Sequence, residues 1–173
     1  FEVISNVEFR PEIMLDGLGE EFLITECGYK AFPTEALTHQ PMSAVLNIMQ
    51  KNGLVAEDLA KIHIQTTARG ADILSDPSKY DPQTKETADH SLPYCLAAAA
   101  ADGGVYPSSF SEEKLFDPRI RTLLGKIEVV ANMEIDAMFP GTKRAIATLT
   151  TNDGKKFERT VDHAKGSPQN PLS

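Results

Sequence analysis

The chain is poor in cysteine, in positive charge and in long apolar runs, and each shortage excludes a class of protein. Its two cysteines, Cys27 and Cys95, show neither CxxC spacing nor a nearby pair of histidines, which argues against a structural zinc site or an iron–sulfur cluster. We therefore expect no metal and no cofactor, and two free thiols in a reducing compartment. The net charge of −8 disfavours nucleic acid or an anionic membrane as the main partner, and no apolar run reaches the roughly 18 residues of a membrane span.

Sequence signatures of several common enzyme classes are also missing. The turn at residues 16–20 lacks the third glycine of a dinucleotide-binding loop. The Gly-x-Ser-x-Gly motif of a serine hydrolase is absent as well. The chain starts at Phe1 without a signal-peptide pattern and ends in a loop-like stretch at residues 168–173, so we expect a piece of a longer polypeptide.

The hydrophobic pattern predicts an α+β fold. A length of 173 residues suits one domain with its own core. Helical spacing of apolar residues begins at Pro41 and ends at Asn52-Gly53, and an alanine-rich helix capped by Thr87 or Asp89 ends at Gly103-Gly104. Strands are predicted at residues 21–27, 61–67, 126–131, 144–151 and 155–161. Because Asp153-Gly154 favours a tight hairpin turn, we predict a two-layer sandwich, a mainly antiparallel sheet with helices packed on one side.

The first segment with chemical potential spans residues 30–39. Lys30 lies on a loop stiffened by Pro33, so its ammonium is a candidate carboxylate clamp or simply a solvated surface charge. Glu35 and His39 are four residues apart at the start of the predicted helix, where partial positive charge attracts anions. The structural alternative is a capping carboxylate beside a surface histidine.

The second segment is Asp89-His90 followed by Tyr94. If the helix already includes them, His90 and Tyr94 lie one turn apart on the same face. An aspartate beside a histidine fixes its tautomer and raises its basicity, which suits a general acid or base. A helix-capping aspartate and a half-buried histidine explain the same pattern equally well.

Several motifs, in this order and at this spacing, resemble the MmgE/PrpD family. They are Asp16-Gly-Leu-Gly-Glu20, Lys30-Ala-Phe-Pro33, His39-Gln40, Lys79-Tyr-Asp-Pro82, Thr87-Ala-Asp-His-Ser-Leu-Pro-Tyr94, Ala101-Asp-Gly103 and Lys165-Gly-Ser-Pro-Gln-Asn-Pro-Leu-Ser173. The resemblance covers nearly the whole chain and is strongest to the branch that dehydrates 2-methylcitrate.

The resemblance implies a two-domain enzyme with its active site in a cleft between a large helical domain and a smaller α+β lid. Residues 1–173 are then the lid alone, and its partner is the helical domain of the same polypeptide. It also implies a homodimeric parent enzyme, without metal or cofactor, in a bacterial cytoplasm or a mitochondrial matrix. Nucleic acid and membrane are not expected partners.

The resemblance further implies removal of water from the tricarboxylate 2-methylcitrate, giving 2-methylaconitate during propionate breakdown. By matching position, Lys30 and Tyr94 line the substrate cleft, while His39, Asp89 and His90 are candidates for proton transfer or carboxylate binding. Glu35 stands where decarboxylases of the family carry a histidine, a departure that favours the dehydratase branch and adds Glu35 to the substrate-binding candidates. Which histidine is the acid and which the base stays open.

Two other hypotheses remain. One keeps the family but changes the reaction, to decarboxylation or epimerisation of another di- or tricarboxylate. The other is a non-catalytic module that binds a partner protein through an apolar patch around Phe32 and the alanine-rich helix.

Overall fold

A four-stranded sheet forms one layer of the domain in the computed structural model, which describes residues 10–172. Its strand order is β2-β1-β3-β4. The strands are β1 (Leu59–Thr66), β2 (Ile127–Ala131), β3 (Ala145–Thr151) and β4 (Lys156–Val161). β1 pairs in parallel with β2, whereas β1 with β3 and β3 with β4 are antiparallel. The prediction of a mainly antiparallel sheet is therefore confirmed.

Helices form the second layer, on one face of that sheet. The α-helices are α1 (His39–Asn52), α2 (Ala68–Ile73), α3 (Lys85–Ala88), α4 (Leu92–Asp102), α5 (Glu112–Leu115), α6 (Pro118–Leu124) and α7 (Met133–Asp136). Short 3₁₀ helices occupy Pro11–Leu15, Leu23–Glu26, Ala36–Thr38, Ala56–Asp58, Pro77–Tyr80 and Pro107–Phe110. α1 packs on β3 and β4, α4 packs on β2, and the two helices contact each other, so the α+β fold is confirmed.

The two faces of the sheet differ in chemistry because side chains alternate along each strand. Ile62, Ile64 and Leu149 point into the core beneath the helices and are fully buried. On the opposite face, Glu128 accepts from Lys61 Nζ at 2.6 Å and lies 2.9 Å from His63 Nδ1. A polar outer face needs no further covering layer, as expected for a two-layer domain.

The local turn signals are confirmed where they were strongest. Residue Gly154 adopts φ 83° in the hairpin between β3 and β4, a conformation that costs glycine little. Gly53 and Gly103 end α1 and α4 in the left-handed conformation. The predicted cap of α4 was wrong, because the side chain of Ser91, not that of Thr87 or Asp89, accepts the Tyr94 N–H.

The prediction of a strand at residues 21–27 was also wrong. This segment contains the 3₁₀ turn Leu23–Glu26, and no described strand pairs with it. Its β-branched and aromatic residues match the composition of a strand, but a strand is stabilised only by cross-strand pairing. Phe22 and Ile24 remain exposed.

Candidate functional site

A cavity of about 390 Å³ lies where three segments distant in sequence meet. The segments are the loop before α1 together with the first turn of α1, the loop before β3, and the chain after β4. The cavity is lined by Gly28, Tyr29, Lys30, Ala36, His39, Gln40, Pro140, Gly141, Lys143, Asp162, His163, Ala164, Gly166, Ser167 and Gln169. Its volume falls in the range of small-ligand sites.

A backbone contact holds two of these segments together. Tyr29 N–H donates to the carbonyl of Gly166 at 2.8 Å, and Gly166 N–H donates to the carbonyl of Asn170 at 2.7 Å. Gly166 has φ 94°, and a Cβ there would overlap the carbonyl of Tyr29. Glycine is therefore required at this position, and the contact anchors the Lys30 loop against the chain that leaves the sheet.

Lys30 contributes one positive charge to the cavity wall. Its Nζ donates to the carbonyl of Thr34 at 2.8 Å, which holds the side chain over the turn that leads into α1. An ammonium has three donors, so two remain for a ligand. The sequence-predicted clamp is thus placed beside His39, as a lining residue of the same cavity.

His39 is buried, with 2% of its surface exposed. Burial is the largest effect and lowers the pKa of its imidazole below the ordinary value of 6.5. A hydrogen bond with the backbone of Thr34 and the negative charge of Glu35 raise this pKa, whereas the positive charges of Lys30 and Lys143 lower it. The ring also packs edge-on against Phe32 at a centroid distance of 5.4 Å. His39 is therefore neutral near pH 7 and available as a proton acceptor.

Three buried side-chain atoms lack a hydrogen-bond partner within residues 10–172, and all belong to residues that line this cavity. They are His39 Nε2, Gln40 Oε1 and Ser167 Oγ. The neighbouring buried hydroxyls of Thr34 and Thr38, by contrast, hydrogen-bond to each other at 2.7 Å. Because buried polar atoms are nearly always paired in folded proteins, their convergence on one cavity makes it the candidate ligand site.

Positive charge exceeds negative charge around the cavity. Lys30 and Lys143 line it without an ion pair to any residue in the described range 10–172. Asp162, the lining carboxylate, is paired with Arg144 through Nε–Oδ1 at 2.5 Å and Nη2–Oδ2 at 3.1 Å. That pair lowers the pKa of Asp162 and neutralises its charge. An anion is the ligand that such a site favours.

Glu35, Asp89 and His90 form a neighbouring group that does not line the cavity. Glu35 Oε2 accepts from Leu37 N–H at 2.6 Å as the cap of Ala36–Thr38, and Glu35 N–H donates to the carbonyl of Asp89 at 3.1 Å. His90 Nδ1 lies 2.5 Å from Asp89 Oδ1, and 59% of the His90 side chain is exposed. The two predicted segments are thus joined through Glu35, with His39 inside the cavity and His90 at the surface.

Tyr94 is not brought to this surface. It is fully buried, its hydroxyl donates to the carbonyl of Ser109 at 2.7 Å, and burial raises its pKa. The expected helical neighbour relation with His90 fails because α4 begins at Leu92, after His90. Tyr94 therefore supports the core rather than a ligand in this domain.

Several residues that line the cavity have no role predicted from the sequence, namely Gln40, Lys143, His163 and Ser167. His163 and Gly166 follow the predicted hairpin, and Gln40 follows His39. Their nearness in sequence to these predicted features was the only indication that they could belong to the site. Their convergence depends on the path that the chain takes after β4, which local patterns do not specify.

A larger cavity, of about 650 Å³, lies at the opposite end of α1 around Met49, Val55 and Arg119. None of the three unpaired buried atoms belongs to its lining. Chemistry rather than size therefore selects the smaller cavity as the candidate functional site.

Residues 10–172 contain neither a membrane-spanning helix nor a cluster of metal-binding side chains. No helix there combines the length and apolar character needed to cross a membrane. In the same range, histidine, cysteine, aspartate and glutamate side chains form no group of three or more that could hold a metal ion.

Fold and site together define an α+β domain with a cationic cavity that contains unpaired polar atoms. The chain belongs to the MmgE/PrpD C-terminal domain family, whose match extends over residues 32–173. This confirms the family resemblance seen in the sequence motifs. The match includes all of the predicted site residues except Lys30.

A curated relative is cis-aconitate decarboxylase from Mus musculus, which is 24% identical over 151 residues. The alignment covers 86% of this chain but only 30% of the relative. The chain thus spans less than a third of the length of the enzyme it matches.

Proposed function

We propose that this domain forms one wall of the active site of a lyase that dehydrates 2-methylcitrate to 2-methylaconitate. The observation that carries the proposal is the cavity in which Lys30 and Lys143 flank the buried, neutral His39. Lysines bind the carboxylates of a tricarboxylate, and a neutral imidazole accepts a proton from carbon. Family membership supports the broader class of lyase.

In the proposed reaction, a base removes a proton from carbon and the hydroxyl group on the adjacent carbon leaves. The electron pair of the C–H bond forms the carbon–carbon double bond, and the leaving hydroxyl takes up a proton and departs as water. His39 is our candidate base because its Nε2 is unpaired. Asp89 and His90 are candidates for proton exchange with the leaving group or with solvent, and Glu35 joins them to the His39 turn.

The rest of the active site belongs, in this proposal, to a helical domain of the same polypeptide in a homodimeric enzyme. A tricarboxylate has three anionic groups, and the cavity offers two lysines without ion pairs to other described residues. Additional cationic groups are therefore needed from outside this domain.

A second candidate reaction is decarboxylation of cis-aconitate, which is favoured by the printed activity of the mouse relative. Glu35 argues against it, since the resemblance places a histidine there in the decarboxylases. In this chain the Glu35 carboxylate caps the turn that leads to His39, and its negative charge raises the pKa of that imidazole.

The test is to incubate the complete polypeptide containing this chain with 2-methylcitrate and, separately, with cis-aconitate. We expect an ultraviolet absorbance rise from the new double bond with 2-methylcitrate and no release of carbon dioxide from cis-aconitate. Carbon dioxide release without dehydration would replace the proposal with the second candidate.

The isolated chain of 173 residues is expected to turn over neither acid. One wall of a cleft cannot orient both ends of a substrate, and loss of orientation removes many orders of magnitude in rate. Mixing the chain with 2-methylcitrate and following absorbance checks this. Measurable turnover by the folded chain alone would contradict the two-domain proposal.

A further inference from the structure

Gln40 is a buried amide in the first turn of α1, and the motif His39-Gln40 assigns it no role. Only 4% of its surface is exposed, and its Oε1 has no partner within residues 10–172. A buried carbonyl oxygen without a donor destabilises a folded protein. Such an atom is retained when a ligand satisfies it.

The unpaired atoms include one, Gln40 Oε1, that requires a hydrogen-bond donor. Gln40 Oε1 is an acceptor only. The neutral ring of His39 carries one proton, and its unpaired Nε2 is an acceptor in the tautomer that is protonated at Nδ1. Ser167 Oγ both donates and accepts.

Ionised carboxylates cannot meet this demand, because they are acceptors only. The carboxylates of a ligand are complementary instead to the ammonium groups of Lys30 and Lys143 in the same cavity. A hydroxyl group is the simplest uncharged group that donates one hydrogen bond while accepting another. The cavity is therefore complementary to a molecule that carries carboxylates and a hydroxyl together.

We propose that Gln40 and Ser167 are specificity-determining residues that hold the hydroxyl group of a hydroxy-polycarboxylate in this cavity. The hydroxyl donates to Gln40 Oε1 and accepts from Ser167 Oγ. The inference deepens the proposed dehydratase function, since the group held would be the one that leaves. It also distinguishes hydroxylated substrates from unsaturated tricarboxylates such as cis-aconitate, which carry no donor when ionised.

Binding to the present chain tests the inference without requiring turnover. Citrate and propane-1,2,3-tricarboxylate form a matched pair of probes, since they differ only by the hydroxyl group. Their dissociation constants are measured by calorimetry or by NMR titration. We expect the chain to bind citrate more tightly by on the order of tenfold, the effect of one hydrogen bond to an otherwise unpaired buried acceptor.

The variant Gln40→Met keeps the length of the side chain and removes the acceptor. We expect it to lose the preference for citrate while its affinity for propane-1,2,3-tricarboxylate changes less than about twofold. Gln50→Met is the matched control, because Gln50 lies on the same helix and is exposed, away from this cavity. That control should keep the preference.

Ser167→Ala provides a second variant should Gln40→Met fail to fold, as judged by circular dichroism. We expect it to reduce the preference for citrate about twofold to tenfold. The inference would be overturned if the unaltered chain bound the two acids equally or bound neither of them. An unchanged preference for citrate in both variants would overturn it as well.

Failure of the inference and failure of the proposed function give different results. A chain that prefers citrate, within a complete polypeptide that does not dehydrate 2-methylcitrate, supports hydroxyl recognition and rejects the reaction. Dehydration by a polypeptide whose domain shows no preference retains the reaction and rejects the role of Gln40 and Ser167.

Discussion

The segments 30–39 and 89–90 each contain a histidine and a carboxylate, but the two histidines differ in burial and in hydrogen bonding. His39 is buried and its Nε2 is unpaired, whereas His90 is largely exposed and lies 2.5 Å from the Asp89 carboxylate. An exposed pair of this kind contributes little to stability and is common on surfaces. An unpaired buried nitrogen is rare, so the difference identifies His39 as the stronger candidate for chemistry.

Their surroundings differ as well. His39 shares its cavity with Lys30 and Lys143, which favour its neutral form. His90 has a carboxylate as its immediate partner. The two histidines therefore differ in their surroundings rather than in their motifs. His39 is buried and unpaired beside two lysines, whereas His90 is exposed and paired with a carboxylate.

The largest expected effect is on kcat, when each of the two histidines is replaced in turn. In the complete polypeptide, His39→Asn should lower kcat for 2-methylcitrate by roughly 10²- to 10⁴-fold, the usual contribution of a general base. His90→Asn should lower it less than about tenfold, because an exposed side chain is more readily replaced by water. Steady-state kinetics over a range of pH measures both. An equal or greater loss in His90→Asn would reverse the ranking of the two segments.

A smaller effect is expected for the lysine of the first segment. Lys30→Ala should raise KM by about tenfold to a hundredfold while kcat changes little, because a clamp binds substrate and transition state alike. Lys85→Ala is the control, because Lys85 is an exposed lysine at the start of α3, just before the second segment, and it should leave both constants unchanged. A loss confined to kcat would instead make Lys30 a participant in the chemical step.

The smallest expected effect is on the pH dependence of the free energy of unfolding, where buried His39 and exposed His90 should differ. Since the pKa of His39 is lowered in the folded state, the unfolded chain binds more protons as pH falls below the ordinary histidine value. The contribution of His39 to the free energy of unfolding is therefore present above about pH 6.5 and is lost progressively below it. Urea denaturation at several pH values should show this loss in the chain.

The variant His39→Gln should lack that component of the pH dependence, while His90→Gln should retain it. Both substitutions remove one imidazole, so the comparison isolates the effect of burial. Identical pH profiles for His39→Gln and the unaltered chain would contradict the assignment of a lowered pKa to His39.

Sequence patterns predicted the elements whose stability is local. Asp153-Gly154 specified the hairpin, and Gly53 and Gly103 specified the ends of two helices, because each depends on the backbone freedom of one or two residues. The strand predicted at residues 21–27 failed for the complementary reason. Strand composition has little effect without a partner, and the pairing partner is not encoded locally.

The candidate site was predicted in part. Lys30 and His39 both line the cavity, as their motifs suggested. Tyr94 does not, because the start of α4 at Leu92 turns its hydroxyl toward Ser109 in the core. A shift of two residues in a helix start rotates a side chain by more than half a turn, which is beyond what spacing alone resolves.

The sequence by itself determined the α+β class, the main helices and the family, because periodicity, turn residues and ordered motifs are properties of neighbouring residues. The tertiary structure alone decided which polar groups share a cavity. Ser167 meets Lys30 and Gln40 because the Tyr29–Gly166 contact brings the chain after β4 back against the loop before α1. Long-range contacts of this kind set burial, and burial gives His39 its lowered pKa and Gln40 its unpaired oxygen.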